Sequence, residues 1–488
     1  MNDRSRPSIL ALYPSCFYYP NWAGREQIKS SLWLLASYLS RDFQVEYADL
    51  ELVIGRPNTP VQVRRFERRV RDYLAEKEFD ILAISCWTSL CYKAAMVTAQ
   101  AARELYPDRL IVVGGYHPTA CPDDFLTENS VIDYVIRGEG ELALTEIARG
   151  FAAIGRPSET KIIVAPPLSS DQCVSVNWEL IDDLVKREFP DGLNTLCVFL
   201  SRGCPFKCAF CMELIKERRW RAMPPDQAVE QVRVAGRRHR VIAVALGDAC
   251  FGVQRAWRKR FLAGLADLAP AHWVLMETRP DFIDEDDIRL LSKLKVQIQI
   301  GLESGSPRML RIMNKTKQPD RYLAKFRKVS HLLSEYDIVH GANLIFNHPG
   351  ETEESVRETI AFVDQELAHG KSSLIWACHE YSHFPGSEID GHRRIYEEKY
   401  GTQFLSPRWW HEDEDQFEGG RKVIPSHDLT GERRKIWAKL IAEREPRFRD
   451  NLSPIAFHIA ADTYWPDWRN DPRYGETELA DFYRGDSP

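Results

Sequence analysis

Three of the eleven cysteines stand together, in Ser201-Arg202-Gly203-Cys204-Pro205-Phe206-Lys207-Cys208-Ala209-Phe210-Cys211. The spacing Cys-x-x-x-Cys-x-x-Cys puts Cys204, Cys208 and Cys211 on one short loop. Thiolates are soft ligands suited to iron. Three of them can bind three irons of a 4Fe–4S cluster and leave the fourth iron open to a substrate or cofactor. Three structural cysteines or a zinc knuckle are the competing readings. A structural zinc ordinarily takes four protein ligands, and no second Cys-x-x-Cys-like pair stands elsewhere in the chain.

The elements that must position this loop follow from hydrophobic periodicity. Strands are expected at 195–200, 241–246, 273–277, 296–300, 341–346 and 374–377. Helices are expected between and after them, at 225–236, 257–266, 286–294, 307–313, 321–334 and 352–369. Six β/α units in series imply a (β/α)6 partial barrel with function at the carboxyl ends of its strands. Glu277-Thr278-Arg279-Pro280-Asp281, Gly301-Leu302-Glu303-Ser304-Gly305-Ser306 and Asn347-His348-Pro349-Gly350-Glu351-Thr352 fall at such ends. The first third shows the same α/β rhythm, with strands at 8–13, 45–48, 80–85, 110–113 and 133–136. It predicts a doubly wound parallel sheet, with ligands near Pro14, Ser85, Gly114 and Gly138. No Gly-x-Gly-x-x-Gly follows the first strand, which disfavours a dinucleotide site. The predicted divisions are a sheet domain over 1–150, a proline-rich linker over 151–190, the barrel over 191–390, and a mostly helical region over 391–488 that covers the barrel mouth. That last region carries Trp409, Trp410, Trp437, Trp465 and Trp468.

Composition bounds the function. The 488 residues are 44% hydrophobic and 28% charged, as in ordinary globular proteins. A net charge of −6 gives no basic footprint for nucleic acid. No membrane span and no signal core are visible, so a cytoplasmic, reducing setting is expected. Eleven unevenly spaced cysteines make a poor disulfide framework. Cys250 reads as a buried thiol. Trp376, His379, Tyr381 and His383 at the sixth strand's end, and the Trp409-Trp410 pair, read first as packing. His411-Glu412-Asp413-Glu414-Asp415 reads as a solvated surface.

The cysteine motif, with Phe210 before its last member, resembles that of the radical SAM superfamily. Glu277–Asp281, Gly301–Ser306, Pro349-Gly350-Glu351-Thr352 and Phe384-Pro385-Gly386-Ser387 resemble the superfamily's later strand-end motifs, over residues 191–390. The resemblance implies a 4Fe–4S cluster whose open iron chelates S-adenosylmethionine (SAM), and a 5′-deoxyadenosyl radical. By that likeness Cys204, Cys208 and Cys211 are the ligands and catalytic residues. Phe210, Glu277, Arg279, Glu303 and Ser304 are SAM contacts. Asp248 and Asn347 stand at loops that depart from the usual motifs: Leu246-Gly247-Asp248-Ala249-Cys250 replaces a glycine-rich second loop, and Asn347-His348 replaces a glycine-containing pair.

The N-terminal run Val112-Val113-Gly114-Gly115-Tyr116-His117-Pro118-Thr119, with Ile136-Arg137-Gly138-Glu139-Gly140-Glu141 and Ser85-Cys86-Trp87, resembles the cobalamin-binding domains that precede many radical SAM barrels. It implies contacts from Ser85, Thr88, Gly114, Gly115, Tyr116, His117, Gly138 and Glu139. The Asp-x-His-x-x-Gly motif is absent. Pro14-Ser15-Cys16-Phe17-Tyr18-Tyr19-Pro20-Asn21-Trp22-Ala23-Gly24 stands in its place, so base-off cobalamin without a histidine ligand is expected. His117 itself reads more simply as a loop histidine. A cofactor-free remnant of the domain is the alternative. The resemblance implies a class B-like methyltransferase acting on an unactivated carbon of a small-molecule or peptide natural product. One SAM methylates cobalamin, a second yields the radical, and a flavodoxin- or ferredoxin-like donor supplies electrons. Ring contraction, cyclisation or another non-methylating rearrangement is the runner-up. A non-catalytic binding protein of the same fold is the third reading, and the intact cysteine motif argues against it.

Overall fold

The computed structural model describes residues 6–18, 28–126, 131–173, 175–190, 192–193, 195–239, 241–268, 270–369, 373–413 and 416–444. Part of the first loop (19–24), Glu414, Asp415, Trp465 and Trp468 lie outside the described residues.

The first sheet holds β1 (Ser8–Tyr13), β2 (Gln44–Asp49), β3 (Ile81–Ser85), β4 (Leu110–Gly114), β5 (Tyr134–Arg137) and β6 (Lys161–Val164), in the order β2-β1-β3-β4-β5-β6. Every pairing is parallel. The strands are apolar runs ended by turn residues: Ile9–Leu12 are at most 1% exposed, and Pro14 stops β1. The helix Pro60–Ala75 shows the surface-helix pattern. Thr59 caps it, Pro60 opens it, and Phe66, Val70 and Leu74 are buried at intervals of four.

The second sheet is built from β7 (Thr195–Val198) and, after the short hairpin β8 (Ser201–Arg202) and β9 (Arg221–Ala222), from β10 (Ala243–Leu246), β11 (Trp273–Thr278), β12 (Val296–Glu303), β13 (Val339–Phe346) and β14 (Ser373–Glu380). Its order, β14-β13-β12-β11-β10-β7, sets each strand beside its predecessor, again all parallel. Successive β/α units therefore turn one way, as in an open partial barrel. A register shift between Gly301 and Glu303 ends β12 in a bulge, with Glu303 at φ 68°. Bulges re-aim side chains beside functional sites.

One apolar core runs through both sheets, from Leu10, Ile84 and Val113 to Val198, Val244 and Ile298. The helix Ser30–Leu39 welds them. Trp33 is fully buried, stacks edge-on against Trp178 at 4.9 Å and donates to the Asn177 carbonyl at 2.7 Å. Ser30 donates to the Cys197 carbonyl of β7 at 2.7 Å.

One expectation changes. The segment 151–190 is not a plain linker: it supplies β6, which extends the first sheet, and the helix Glu179–Glu188. β6 is an edge strand with Val164 73% exposed, so its burial pattern carries no strand signal. Beyond residue 391 the described chain is short helices joined by an antiparallel ribbon, β15 (Gln403–Phe404) with β16 (Val423–Ile424). Among the described residues no helix is long and apolar enough to cross a membrane.

Candidate functional site

Gly203 lets the chain turn from β8 into the cysteine loop. It sits at φ 80°, and a Cβ there would lie 2.5 Å from the Arg219 carbonyl oxygen. Only glycine accepts both constraints. The loop is then pinned from outside. Ala209 N–H donates to the Met313 carbonyl at 2.8 Å, and Asn314 Nδ2 to the Lys207 carbonyl at 2.7 Å. The Ala209 carbonyl accepts from Ile389 N–H at 3.1 Å. All three cysteines are partly buried and free of disulfides.

Their environments differ. A hydrogen bond from Cys250, more than offsetting burial, brings Cys204 down to about 6. Burial pushes Cys208 up and Cys211 up to about 12. The positive charge of Lys315 favours the thiolate at all three, and Arg279 adds to it at Cys204 and Cys208.

Arg279 is buried. Its guanidinium lies 3.8 Å over the Phe206 ring and donates to Asp281 at 2.8 and 3.1 Å and to the Lys315 carbonyl at 3.1 Å. Its Nη1 has no hydrogen-bond partner. The bulge at Glu303 aims that carboxylate at Lys315, 2.7 Å away, and both are buried. Glu277 is solvent-accessible yet ringed by protein. Desolvation first, and the charge of Glu303 second, raise its carboxyl, while Asn343 donates to it at 2.9 Å. Asp248 is buried and pushed up to about 6 by that burial. Its Oδ1 accepts from Leu200 N–H and from the N–H and hydroxyl of Ser201, so it holds the turn that leads into the cysteine loop; its Oδ2 has no hydrogen-bond partner.

Cys204, Cys208, Cys211, Phe210, Asp248, Glu277, Arg279 and Glu303 thus gather at or beside one loop. Ser304 does not join them: its hydroxyl is 2.8 Å from Thr359 and accepts from Ser306 N–H. Asn347 turns to the last strand and the C-terminal segment, donating to Glu380 at 3.0 Å and to the Arg434 carbonyl at 3.2 Å. Sequence reading missed Lys315. It stands in Asn314-Lys315-Thr316-Lys317 just past a helix, where lysines ordinarily signal only a solvated helix end.

Three thiols, an unengaged guanidinium nitrogen and an unengaged carboxylate oxygen suit an iron–sulfur cluster beside a zwitterionic ligand. Orphaned buried polar atoms are rare in folded proteins. Arg279 Nη1 and Asp248 Oδ2 are therefore marked as groups that await a partner.

At the first sheet, Ser85, Thr88, Gly114, Gly115, Tyr116, His117, Gly138 and Glu139 all lie at the carboxyl ends of β3, β4 and β5. Gly115 has φ 124°, and a Cβ there would lie 2.3 Å from the Cys86 carbonyl oxygen. Thr88 Oγ1 is buried without a partner. His117 is spoken for. It contacts Ser89 at 2.8 Å and Asp124 at 3.2 Å and packs on Trp410, and burial lowers its pKa. Asp124 is in turn held by Trp410 Nε1 and Arg408, so the C-terminal segment is latched onto the first domain. Cys121, His117 and Asp124 offer ligand atoms within 4.8 Å of one another, but both Asp124 oxygens already accept from these neighbours. Trp409 and Trp410 are buried, as the packing reading expects, and His383 is buried against Tyr381 and Asp390.

Glu139 also has partners that the sequence did not reveal. Arg221 binds it at 2.5 and 3.0 Å, Arg202 lies 3.4 Å away, and Leu168 N–H donates to it at 2.9 Å. Arg202 also pairs with Glu141. Burial opposes the charge on Glu139, yet these donors hold its carboxyl below the usual range. The hairpin that flanks the cysteine loop is thus ion-paired to the strand-end loop of the first sheet. Just beyond, Lys216 stands 3.4 Å over the ring of Tyr116.

The model of the B12 binding domain matches residues 24–148, and that of the radical SAM superfamily matches residues 198–363. The anaerobic magnesium-protoporphyrin IX monomethyl ester cyclase of Rubrivivax gelatinosus is 26% identical over 315 residues, covering 60% of this chain and 55% of that protein. The cobalamin-dependent radical SAM methyltransferase TokK of Streptomyces tokunonensis is 23% identical over 367 residues, covering 68% and 51%. The chain spans about half the length of these two relatives. In fold it is similar to the radical S-adenosylmethionine methyltransferase TsrM from Kitasatospora setae, solved with cobalamin and a 4Fe–4S cluster bound. The TM-score is 0.65 at 17% identity, over 93% of this chain and 90% of that one. The order of the two matched models is the order of the two sheets, and the chain belongs to the radical SAM superfamily, with a B12-binding domain ahead of its radical SAM domain.

Proposed function

We propose that this chain is a cobalamin-dependent radical SAM enzyme that methylates an unactivated carbon of a small-molecule or peptide substrate. The observation that carries this reading is the ion-paired link from the cysteine-loop hairpin to the B12-binding domain: Arg202 and Arg221 to Glu139 and Glu141. It fixes three soft ligands beside the strand ends where that domain would take its cofactor. When bound, the cluster with SAM supplies a 5′-deoxyadenosyl radical and cobalamin supplies a transferable methyl group.

The chain's own residues have separate tasks. Cys204, Cys208 and Cys211 hold iron. Arg279 Nη1 and the Lys315 ammonium offer positive charge to SAM's carboxylate, and Asp248 Oδ2 offers an acceptor to its ammonium. Glu277 and Glu303 are polar contacts within the barrel. Gly114 and Gly115 let the backbone approach cobalamin's buried tail, and Ser85, Thr88, Tyr116 and Gly138 border it. The segment bearing Trp409 and Trp410, latched to Asp124 of the first domain, would help to exclude water from a reactive radical. A flavodoxin- or ferredoxin-class protein is the proposed electron source.

Kinship to the cyclase favours one second reading, a cobalamin-dependent oxidative rearrangement without net methylation. Anaerobic reconstitution with hydroxocobalamin tests the first: about four irons with stoichiometric cobalt, and deoxyadenosine formed on reduction, are expected. Transfer of a labelled SAM methyl group to product separates methylation from rearrangement. Deoxyadenosine formation by a Cys204→Ala/Cys208→Ala/Cys211→Ala variant would refute the mechanism.

A further inference from the structure

Two thiols outside the cysteine loop face each other at the switch point of the first sheet. The chain runs from β1 to β2 on one side and returns to β3 on the other. The crevice between the carboxyl ends of β1 and β3 is where open α/β sheets take ligands. Cys16 follows β1 and Cys91 ends the turn after β3. Their sulfurs are 3.4 Å apart, and Tyr13 Oη lies 3.3 Å from each. Cys16 is 5% exposed and Cys91 0%.

A buried cysteine is often only a small apolar side chain. Here, however, the thiols touch each other, and the backbone presents one of them in a constrained way. Ser15, just before Cys16, has φ 80° and is held there by its hydroxyl donating to the Gly55 carbonyl at 3.0 Å. Strain of this kind persists where the surroundings over-determine it, commonly at functional positions. Burial alone would raise the Cys91 thiol. Hydrogen bonds from Cys16 and Tyr13 more than offset that and bring it down to about 7, so Cys91 is the more acidic thiol of the pair.

We infer that Cys16 and Cys91 are a peroxide-oxidisable dithiol that closes to a disulfide across the switch-point crevice. The Cys91 thiolate attacks one oxygen of hydrogen peroxide. The O–O bond breaks, a sulfenic acid forms, and the departing hydroxide takes a proton to become water. The Cys16 sulfur then attacks the Cys91 sulfur. The S–O bond breaks, and hydroxide leaves with the Cys16 proton as a second water. Two thiols lose two electrons and the peroxide gains them. Closing from contact to a covalent bond asks the sulfurs to approach by about 1.4 Å, within reach of side-chain rotation.

The disulfide ties the first βα loop to the turn after β3, and so lowers affinity for cobalamin at that face. This consequence rests on the functional reading above; the modification itself does not.

The test treats the full-length chain anaerobically with hydrogen peroxide, quenches with an alkylating agent under denaturing conditions, and maps cysteine peptides by mass. A Cys16–Cys91 linked peptide is expected in the wild type, and none in Cys91→Ser or Cys16→Ala. Hydroxocobalamin affinity should fall about tenfold on oxidation, recover with dithiothreitol, and be insensitive to peroxide in either variant. Separate alkylation of Cys16 and Cys91 after peroxide, or pairing with other cysteines such as Cys86, overturns the inference. A linked pair with unchanged cobalamin affinity overturns its consequence. Failure of the reduced wild type to bind hydroxocobalamin overturns the functional reading and leaves the disulfide map standing.

Discussion

Glu351 is a carboxyl in the wrong medium, and replacing it tests the electrostatic reasoning directly. Its side chain is fully buried. One oxygen accepts from Asn347 N–H, and the other has no hydrogen-bond partner. Arg308, the cation that acts on it, spends a donor on the Gly350 carbonyl at 2.7 Å. Burial, opposed by these contacts, raises the group from its ordinary 4.5 to about 8. Between those values the folded chain holds a proton that the unfolded chain has released. The stability this group contributes is therefore complete below about pH 4.5 and is lost as pH rises toward 8, by about 1.4 kcal/mol per unit. Between pH 5.5 and 7.5 the loss is about 2–3 kcal/mol, allowing for the first ionisation of the folded form. Glu351→Gln keeps an acceptor for Asn347 and removes the titration. Urea unfolding of both proteins at the two pH values should show the wild type losing about 2–3 kcal/mol more than the variant. Parallel pH dependences would refute the claim that Glu351 is protonated in the fold.

Other perturbations have equally definite outcomes. Glu139→Gln leaves Arg221, 2% exposed, without its anion and should destabilise the chain by about 3–5 kcal/mol in urea titrations; combined with Arg221→Met, the loss should be less than the sum of the two. Lys315→Met should leave the iron content of the reconstituted protein unchanged while equilibrium dialysis shows SAM affinity down by at least about tenfold; unchanged affinity would remove Lys315 from the site. Gly115→Ala forces a Cβ to within 2.3 Å of the Cys86 carbonyl oxygen. It should abolish hydroxocobalamin binding, read by absorbance after gel filtration, while iron loading at Cys204, Cys208 and Cys211 persists.

How much of this was legible in the sequence depends on the range of the force concerned. Local signals were read well. The apolar run before Pro14 gives β1 its observed bounds, and the six strands of the second sheet follow from the β/α rhythm of similar apolar segments. The cysteine loop is legible because its spacing is itself the chemistry. β6 failed for a local reason: Lys161–Val164 is an exposed edge flanked by prolines, and the contacts that make it a strand are main-chain bonds to β5. Glu303 was found as a motif residue, but its bulge and its partner were not, since no local pattern encodes a lysine twelve positions on that folds back beneath it.

The least legible feature is the one that joins the halves. Glu139 belongs by sequence to the first sheet and was expected to face a cofactor. Its strongest partner, Arg221, lies 82 residues away on the hairpin beside the cysteine loop. Neither residue is unusual in its own segment. A strand-end carboxylate read as a cofactor contact and an arginine in a hairpin give no sign of each other in sequence until the two sheets pack together. Once buried, each charge makes the other necessary, because a lone buried charge costs far more than a paired one. The pair thus fixes the spacing between the two halves more firmly than apolar contact alone, which tolerates sliding. The radical chemistry proposed above, between a cluster and a second cofactor, would need that spacing held closely. A buried ion pair is a weak source of net stability, and under the proposed function it stands where the spacing of the two halves matters most.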